Sequence, residues 1–151
     1  SRGGKGRGSG EMTVSTRGRY ALRVLLRLAD HPEQTLSVRA IAEAEEISKK
    51  YMEQIMPLLV AGGLVSGVSG KYGGYRLAKS PEQITVGEVL RLTEGELAPV
   101  SCLATGAEPC HRRTVCRTLR MWQEFEKVTY AYFDGITLAS LLTPPTPSPA
   151  S

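Results

Sequence analysis

Three cysteines, the only ones in the chain, lie within a stretch of fifteen residues, CLATGAEPCHRRTVC. Cys102, Cys110 and Cys116 follow the spacing C-x7-C-x5-C, in a segment that is broken by Gly106 and Pro109. Thiolates are soft ligands that suit iron–sulfur clusters, copper(I) and zinc. Because glycine and proline interrupt the segment, three side chains can converge on one inorganic unit. The stretch therefore predicts a metal or cluster site.

Two other interpretations of the cysteines stay open. They are either three unrelated thiols, each a small hydrophobic side chain, or members of a disulfide that leaves one thiol over. Nothing in the sequence resembles a secretory signal peptide, so a reducing cytoplasm is the expected compartment. No run of eighteen apolar residues is present, so no membrane span is expected.

The charge of the chain favours an anionic partner only weakly. Its 151 residues carry a net charge of +4. Residues 1–11, SRGGKGRGSGE, precede Met12 and are interpreted as a disordered expression remnant. This segment contributes half of the net charge, through Arg2, Lys5 and Arg7 against Glu11. The distribution of charge therefore carries more information than its total.

The segment from Thr13 to Ala29 has the apolar period of an amphipathic helix. One apolar stripe follows the i, i+4, i+5 and i+8 positions: Tyr20, Val24, Leu25 and Leu28. Ser15 or Thr16 is suited to cap its start. Arginines occupy the remaining positions: Arg17, Arg19, Arg23 and Arg27. Basic side chains near a helix N-terminus oppose the helix dipole, which favours a phosphate contact, with a solvated basic face as the alternative.

A helix–turn–helix pattern follows. A short helix is predicted over 36–46 with Ser37 as its cap, and a second helix begins after Ser48 and ends at Gly62 and Gly63. Pro57 is expected to kink this helix or end its regular part. Its core-facing residues are predicted to be Tyr51, Ile55, Leu58 and Leu59. Its first turns present Lys49, Lys50, Glu53 and Gln54, side chains that suit base edges in the major groove.

A glycine-rich hairpin comes next. Leu64, Val65 and Val68 predict one short strand, and the residues from Tyr75 to Leu77 predict another. Lys71 and Tyr72 stand at the tip, bracketed by Gly70, Gly73 and Gly74. Directly after a helix–turn–helix, this hairpin is typical of the wing of a winged helix, whose tip contacts phosphate or the minor groove.

A long amphipathic helix is predicted after the last cysteine, over residues 116–133. Five residues recur on one stripe at steps of three and four: Leu119, Trp122, Phe125, Thr129 and Tyr132. A small winged domain cannot easily cover this aromatic face, so the stripe predicts a symmetric dimer, with packing on its own domain as the alternative. A capping box at Thr85 and Glu88 starts a shorter helix before the cysteines, and residues 136–142 form a last one.

The predicted fold is mainly α-helical with a small β-hairpin wing, a winged helix–turn–helix domain joined to a long dimerisation helix. Its parts are a disordered remnant at 1–11, the DNA-binding domain at 12–100, a cysteine-rich loop at 101–116, the dimerisation helix and a final short helix at 117–143, and a disordered tail at 144–151.

The chain resembles the IscR-type family of winged-helix transcriptional regulators, which includes IscR, NsrR, RsrR and the cluster-free CymR. The resemblance runs from about Met12 to Leu142 and rests on STRGRYALRVLLRLA, ISKKYMEQIMPLLVAGGLV, SGKYGGYRL and ITVGEVLR, followed by the three-cysteine loop and ITLASLL. It implies a homodimer that binds a roughly palindromic operator in double-stranded DNA. Several members sense redox state, nitric oxide or iron–sulfur supply through a cluster in this loop.

The resemblance also implies roles for individual residues. The cluster cysteines of the family correspond to Cys102, Cys110 and Cys116. The fourth ligand departs from the family, because IscR has a histidine where this chain has Leu119, and NsrR has an aspartate where it has Arg19. His111 is the nearest candidate. An external thiol, a water, a residue of the partner subunit, or Glu124 or Glu126 are the alternatives.

The DNA-facing turn of the family's recognition helix aligns with Ser48, Lys50, Tyr51, Glu53 and Gln54. At the wing, Ser69 stands where IscR has an arginine, so a different operator is expected. The candidate DNA-binding residues are Arg17, Arg19, Ser48, Lys49, Lys50, Tyr51, Glu53, Gln54, Ser69, Lys71 and Tyr72.

The expected function is that of a homodimeric DNA-binding transcriptional regulator whose operator affinity is modulated by an iron–sulfur cluster, of the two-iron or four-iron type. Two alternatives keep the same fold: a cluster-free sensor of thiol oxidation, and a zinc-stabilised DNA-binding module. An enzyme is not predicted, because the sequence shows neither a paired-carboxylate nor a nucleophile–base pattern.

Overall fold

The computed structural model describes residues 14–95 and 117–142. Six helices and one hairpin make up this part of the chain, and the predicted mainly α-helical fold with a β-hairpin wing is confirmed. The helices are α1 (Thr16–Ala29), α2 (Val38–Glu45), α3 (Lys49–Ala61), α4 (Val86–Glu94), α5 (Leu119–Asp134) and α6 (Leu138–Leu142). The strands are β1 (Val65–Val68) and β2 (Gly74–Leu77), and a single 3-10 turn lies at Pro81–Gln83.

Side-chain caps fix where five of the helices begin. The hydroxyl of Ser15 accepts a hydrogen bond from the backbone N–H of Gly18, and Ser37, Ser48, Thr85 and Thr137 accept the equivalent bond at the starts of α2, α3, α4 and α6. Each bond satisfies one of the N–H groups that the first turn of a helix leaves without a partner. The predicted caps are confirmed, although the carboxylate of Glu88 binds Lys79 Nζ at 2.9 Å instead of closing a capping box.

The core is built around α1, which contacts α2, α3, α4 and α6. The predicted stripe of α1 faces inward, with Val24, Leu25 and Leu28 buried and Tyr20 half-buried. From α3 the core receives Met52, Ile55, Met56 and Leu59. Two members of the predicted α3 stripe, Tyr51 and Leu58, are only half-buried. The face of α3 that carries Met52 and Met56 points into the core in their place.

Helix α3 continues through Pro57 to Ala61, so of the two effects expected of the proline, a kink or an end of the regular helix, the helix does not end there. Pro57 lies on the exposed side, where the lost backbone hydrogen bond leaves a carbonyl that water can reach. The helix ends instead at Gly62, and Gly63 adopts a left-handed φ of 77° that suits glycine.

The hairpin is tied to the helix–turn–helix by a short bridge. Strands β1 and β2 pair antiparallel with Val65 opposite Leu77 and Val68 opposite Gly74. Tyr75 exchanges two backbone hydrogen bonds with Leu36, at 2.9 and 2.7 Å. Gly74 has a φ of 152°, and a Cβ there would meet the carbonyl oxygen of Leu36. The start of α2 therefore holds the wing in place.

The C-terminal helices pack back on the winged-helix core. α5 contacts α4, and α6 contacts α1. Leu138 is fully buried within the core, and its backbone N–H donates to the Ile84 carbonyl at 2.9 Å. The N–H of Val86 donates to the Ile136 carbonyl at 2.8 Å. Within residues 14–95 and 117–142, no helix is long and apolar enough to cross a membrane.

Candidate nucleic-acid interface

The first two turns of α3 present a polar surface to solvent. Ser48, Lys49, Lys50, Glu53 and Gln54 are all exposed. Ser48 also caps the helix, because its hydroxyl accepts from the Tyr51 N–H at 3.2 Å. The opposite side of α3 is anchored in the core by the buried Met52 and Ile55. A rigidly packed helix thus carries donors and acceptors of the types that read base edges in the major groove.

Tyr51 differs from its neighbours on α3, because it is half-buried and contacts α1. Its ring meets the ring of Tyr20 edge to face, with centroids 5.2 Å apart and planes at 83°. The guanidinium of Arg23 lies 5.1 Å from the centroid of the Tyr20 ring. The ring of Tyr51 is thus packed within the fold, and its predicted DNA contact stays a prediction.

The wing places its predicted residues at the surface. Ser69, Lys71 and Tyr72 are exposed, and Tyr72 has 84% of its surface accessible. Lys71 Nζ lies 5.7 Å from the centroid of the Tyr72 ring. Arg76 on β2 is also exposed and pairs across the hairpin with Ser66. The sequence interpretation missed Arg76, although its alternation with Tyr75 and Leu77 predicts an outward side chain.

The two arginines predicted to bind DNA from α1 have different surroundings. Arg19 is exposed, and its guanidinium donates to the Thr16 hydroxyl at 2.9 Å. Arg17 is half-buried, and its guanidinium donates to the Thr93 carbonyl at 2.6 Å. Its Nε is buried and has no hydrogen-bond partner among the described residues. Arg17 therefore joins α1 to the end of α4, whereas Arg19 faces solvent.

Glu94, the last residue of α4, forms a polar junction with the start of α1. Its carboxylate accepts from the Ser15 hydroxyl at 2.6 Å, from the Ser15 N–H at 3.2 Å and from the Thr93 hydroxyl at 2.8 Å. A Cβ on Gly18 would meet Glu94 Oε2, so a larger residue at this position would displace the carboxylate. A carboxylate at a helix C-terminus opposes the helix dipole, so the presence of Glu94 at the end of α4 indicates that it has a specific partner.

A salt bridge joins α4 to α5. The Arg91 guanidinium donates to both carboxylate oxygens of Asp134, at 2.7 and 2.9 Å, and lies 4.6 Å from the centroid of the Tyr130 ring. These hydrogen bonds from Arg91 hold the pKa of Asp134 below its usual value. Asp134 in turn raises the pKa of Arg91. Both groups are therefore charged across the neutral pH range.

The outer face of α5 carries an apolar stripe, formed by Met121, Phe125, Val128 and Tyr132. Each of these side chains has 40% or more of its surface exposed. Phe125 and Tyr132 belong to the predicted dimer stripe, whereas Leu119, Trp122 and Thr129 of that stripe are half-buried. Met121 and Val128 were not part of the predicted stripe. Which face of α5 stays exposed is decided by its packing on α4, which the spacing of apolar residues does not indicate.

The predicted metal ligands Cys102, Cys110, Cys116 and His111 lie outside the described residues. Within the described ranges, no group of three or more histidine, cysteine, aspartate or glutamate side chains is arranged to hold a metal ion. All four fall within residues 96–116, called the cysteine segment from here on, and the described residues on either side are Gly95, directly after α4, and Arg117, just before α5.

Comparisons with known proteins identify the family. The model of the Rrf2 family, described as an iron-dependent transcriptional regulator, matches residues 14–144. Protein rrf2 of Nitratidesulfovibrio vulgaris is 39% identical over 133 residues, which cover 87% of each chain. Two solved structures are each 33% identical. T. potens IscR has a TM-score of 0.68 and covers 86% of this chain and 85% of its own. CymR, the global cysteine regulator of B. subtilis, has a TM-score of 0.69 and covers 87% and 97%.

These matches confirm the predicted family and the winged-helix fold. The family is described as a transcriptional regulator, and relatives such as CymR of Bacillus subtilis and IscR of Aliivibrio salmonicida are named as HTH-type transcriptional regulators, which confirms the prediction that the chain is not an enzyme. The chain belongs to the Rrf2 family of winged-helix, DNA-binding transcriptional regulators.

Proposed function

We propose that this regulator acts as a homodimer whose affinity for a palindromic operator is set by an iron–sulfur cluster bound to Cys102, Cys110 and Cys116. The observation that carries the proposal is the placement of these thiols. All three fall in the segment between α4 and α5, in a chain whose family is described as iron-dependent. Each half of the operator is read by α3 and the wing of one protomer.

The donor set fits such a cluster. Three thiolates within fifteen residues provide soft ligands, and cysteine is the usual ligand of both two-iron and four-iron clusters. His111 is proposed as the fourth ligand, since imidazole replaces thiolate in some clusters and this residue adjoins Cys110. When bound, the cluster supplies a unit whose oxidation, nitrosylation or loss changes how the segment is held.

The homodimer is supported by the exposed stripe on α5. Met121, Phe125, Val128 and Tyr132 form a continuous apolar face on the side of the helix away from α4. A two-fold partner covers such a face with an identical one. The two α3 helices are then held at a fixed separation, which must match half-sites about one helical turn or a multiple apart.

The described residues suggest how the cysteine segment affects DNA binding. At its first end, Glu94 is bonded to Ser15 at the start of α1, one turn before the exposed Arg19. Its second end leads into α5, whose last residue, Asp134, is bonded to Arg91 of α4. A change in the segment therefore acts on the start of α1 and on the dimer helix, and shifts the population of DNA-competent dimers.

The proposal is tested by comparing wild type with the Cys102→Ala/Cys110→Ala/Cys116→Ala variant. The DNA probe is the duplex that wild type selects from a random-sequence pool, and affinity is measured without oxygen and again after oxidation. We expect at least a tenfold change in the wild-type dissociation constant between the two states, and no change in the variant. Equal affinities of both proteins in every state would rule out the coupling.

A second candidate, a cluster-free thiol switch, is favoured by the likeness to CymR, which is named as a global cysteine regulator. In this case, oxidation of a cysteine to a sulfenic acid or disulfide changes the segment. The two candidates differ in metal content. A thiol switch keeps its redox response after exhaustive removal of iron, whereas a cluster-dependent regulator loses it.

A further inference from the structure

The edge-to-face pair of Tyr20 and Tyr51 links α1 to the first turn of α3. The ring centroids lie 5.2 Å apart, and both side chains are half-buried against the core. Tyr51 is followed within three residues by the exposed Glu53 and Gln54. The position of the Tyr20 ring therefore constrains the part of α3 that carries these polar side chains.

Arg23 covers the Tyr20 ring and also holds the end of α2. Its guanidinium lies 5.1 Å from the ring centroid, while its Nε donates to Glu45 Oε1 at 3.2 Å and its terminal nitrogen donates to the Glu45 carbonyl. Arg27 donates from Nε to the other carboxylate oxygen of Glu45 at 2.8 Å. The Glu45 side chain is only 16% exposed, so it is held closely between two arginines.

These contacts hold the residues before and after the turn that joins α2 to α3. Glu45 is the last residue of α2, Glu46 adopts a left-handed φ of 57°, and Ser48 caps α3. Arg23 thus fixes the chain before the turn, and Tyr20 fixes Tyr51 after it. We propose that Tyr20 and Arg23 are positioning residues that set the sequence selectivity of α3 without touching DNA. This inference rests on the proposed role of α3 as the recognition helix.

A positioning role has a different signature from a phosphate contact. Hydrogen bonds to base edges require a geometry accurate to about 0.5 Å, whereas contacts to the phosphate backbone carry no sequence information. Displacement of α3 therefore lowers the ratio of specific to non-specific affinity and leaves the salt dependence unchanged. Loss of a phosphate contact lowers both affinities and reduces the slope of log K against log salt by about 0.9.

The test uses Tyr20→Leu, Arg23→Lys and Arg23→Gln, with Tyr20→Phe as the matched control that keeps the ring. Dissociation constants are measured at several salt concentrations for the duplex selected by wild type and for a scrambled duplex. We expect Tyr20→Leu and both Arg23 variants to lower the specificity ratio at least fivefold with an unchanged salt slope. Tyr20→Phe should stay within twofold of wild type.

Two results would overturn the inference. One is an unchanged specificity ratio in the Arg23 variants, which are surface changes that remain testable if Tyr20→Leu does not fold. The other is a salt slope reduced by about one in Arg23→Gln and restored in Arg23→Lys, which identifies Arg23 as a phosphate contact.

Lys50→Ala and Gln54→Ala separate this inference from the proposed function. If neither changes affinity for the selected duplex, α3 is not the recognition helix and the proposed mode of DNA binding fails with the inference. If both weaken binding while the Tyr20 and Arg23 variants keep the wild-type specificity ratio, only the positioning role fails.

Discussion

The hydroxyl of Ser15 donates a 2.6 Å hydrogen bond to the carboxylate of Glu94, although the two residues are 79 positions apart. The same hydroxyl accepts a bond from the Gly18 N–H and so caps α1. The Ser15 side chain therefore both caps α1 and bonds the last residue of α4. This junction lies at the end of α4, directly before residues 96–116, which include the three cysteines.

Replacement of Ser15 by alanine should destabilise the fold more than replacement of Ser37. Ser37 caps α2 but has no carboxylate partner within residues 14–95 and 117–142, so Ser37→Ala loses about 1 kcal/mol, the usual contribution of a cap. Ser15→Ala also removes the charge-assisted bond from the Ser15 hydroxyl to Glu94, and we expect a total loss of about 2–3 kcal/mol. The free energy of unfolding in urea measures both. Equal losses would mean that the junction contributes nothing beyond the cap.

The salt bridge between Arg91 and Asp134 predicts that the stability of the fold decreases at acidic pH. Because Arg91 lowers the pKa of Asp134 in the folded state, this pair stabilises the fold fully above the ordinary aspartate pKa, about 4. The contribution is lost as pH falls through the lower, folded-state pKa. Both side chains are 43% exposed, so the effect is at most about 1 kcal/mol.

The thermal midpoints of wild type and Asp134→Asn measure this dependence. Wild type should melt a few degrees higher than the variant at pH 7, and the difference should shrink as pH falls below about 4. A difference that stays constant down to pH 2 would show that the carboxylate charge does not stabilise the junction of α4 and α5.

Alanine substitutions on α3 should separate a phosphate contact from base recognition. Lys50→Ala is expected to weaken binding to every duplex and to reduce the salt slope by about 0.9. Gln54→Ala should leave the slope unchanged and weaken binding to the selected duplex by about 1–3 kcal/mol, because its amide suits adenine. Titrations at four salt concentrations distinguish the two, and identical behaviour of both variants would contradict these roles.

A charge within the apolar stripe of α5 should dissociate the dimer. Val128 is 64% exposed in the protomer, and Val128→Glu places a carboxylate where two identical faces are proposed to meet. The matched control is Gln123→Glu, which adds the same charge at an exposed site of α5 outside the stripe. Sedimentation should show a monomer for Val128→Glu and a dimer for the control. A dimer in both would place the interface elsewhere.

Local signals in the sequence predicted much of the fold. Ser15, Ser37 and Ser48 cap helices because each cap depends only on the three residues that follow it. The wing was predicted for the same reason, since alternation and glycine placement are local. The burial of Met52 and Met56 was missed, because the inward face of α3 is decided by its packing on α1.

Contacts between distant residues account for the rest of what was missed. The pairing of Ser15 with Glu94, the bridge of Leu36 with Tyr75 and the insertion of Leu138 into the core each join parts of the chain that no short pattern relates. The sequence did indicate that Arg17 and Arg19 need partners. It could not indicate that Thr93 would bind one of them and not the other.

The most direct test of the central claim is the iron and acid-labile sulfide content of protein purified without oxygen, together with its visible absorbance. A cluster held by Cys102, Cys110 and Cys116 predicts a brown protein with about two or four irons per chain and matching sulfide. The variant with all three cysteines replaced by alanine should be colourless. A wild-type protein that is colourless, free of iron and not reconstituted by iron and sulfide would contradict the cluster.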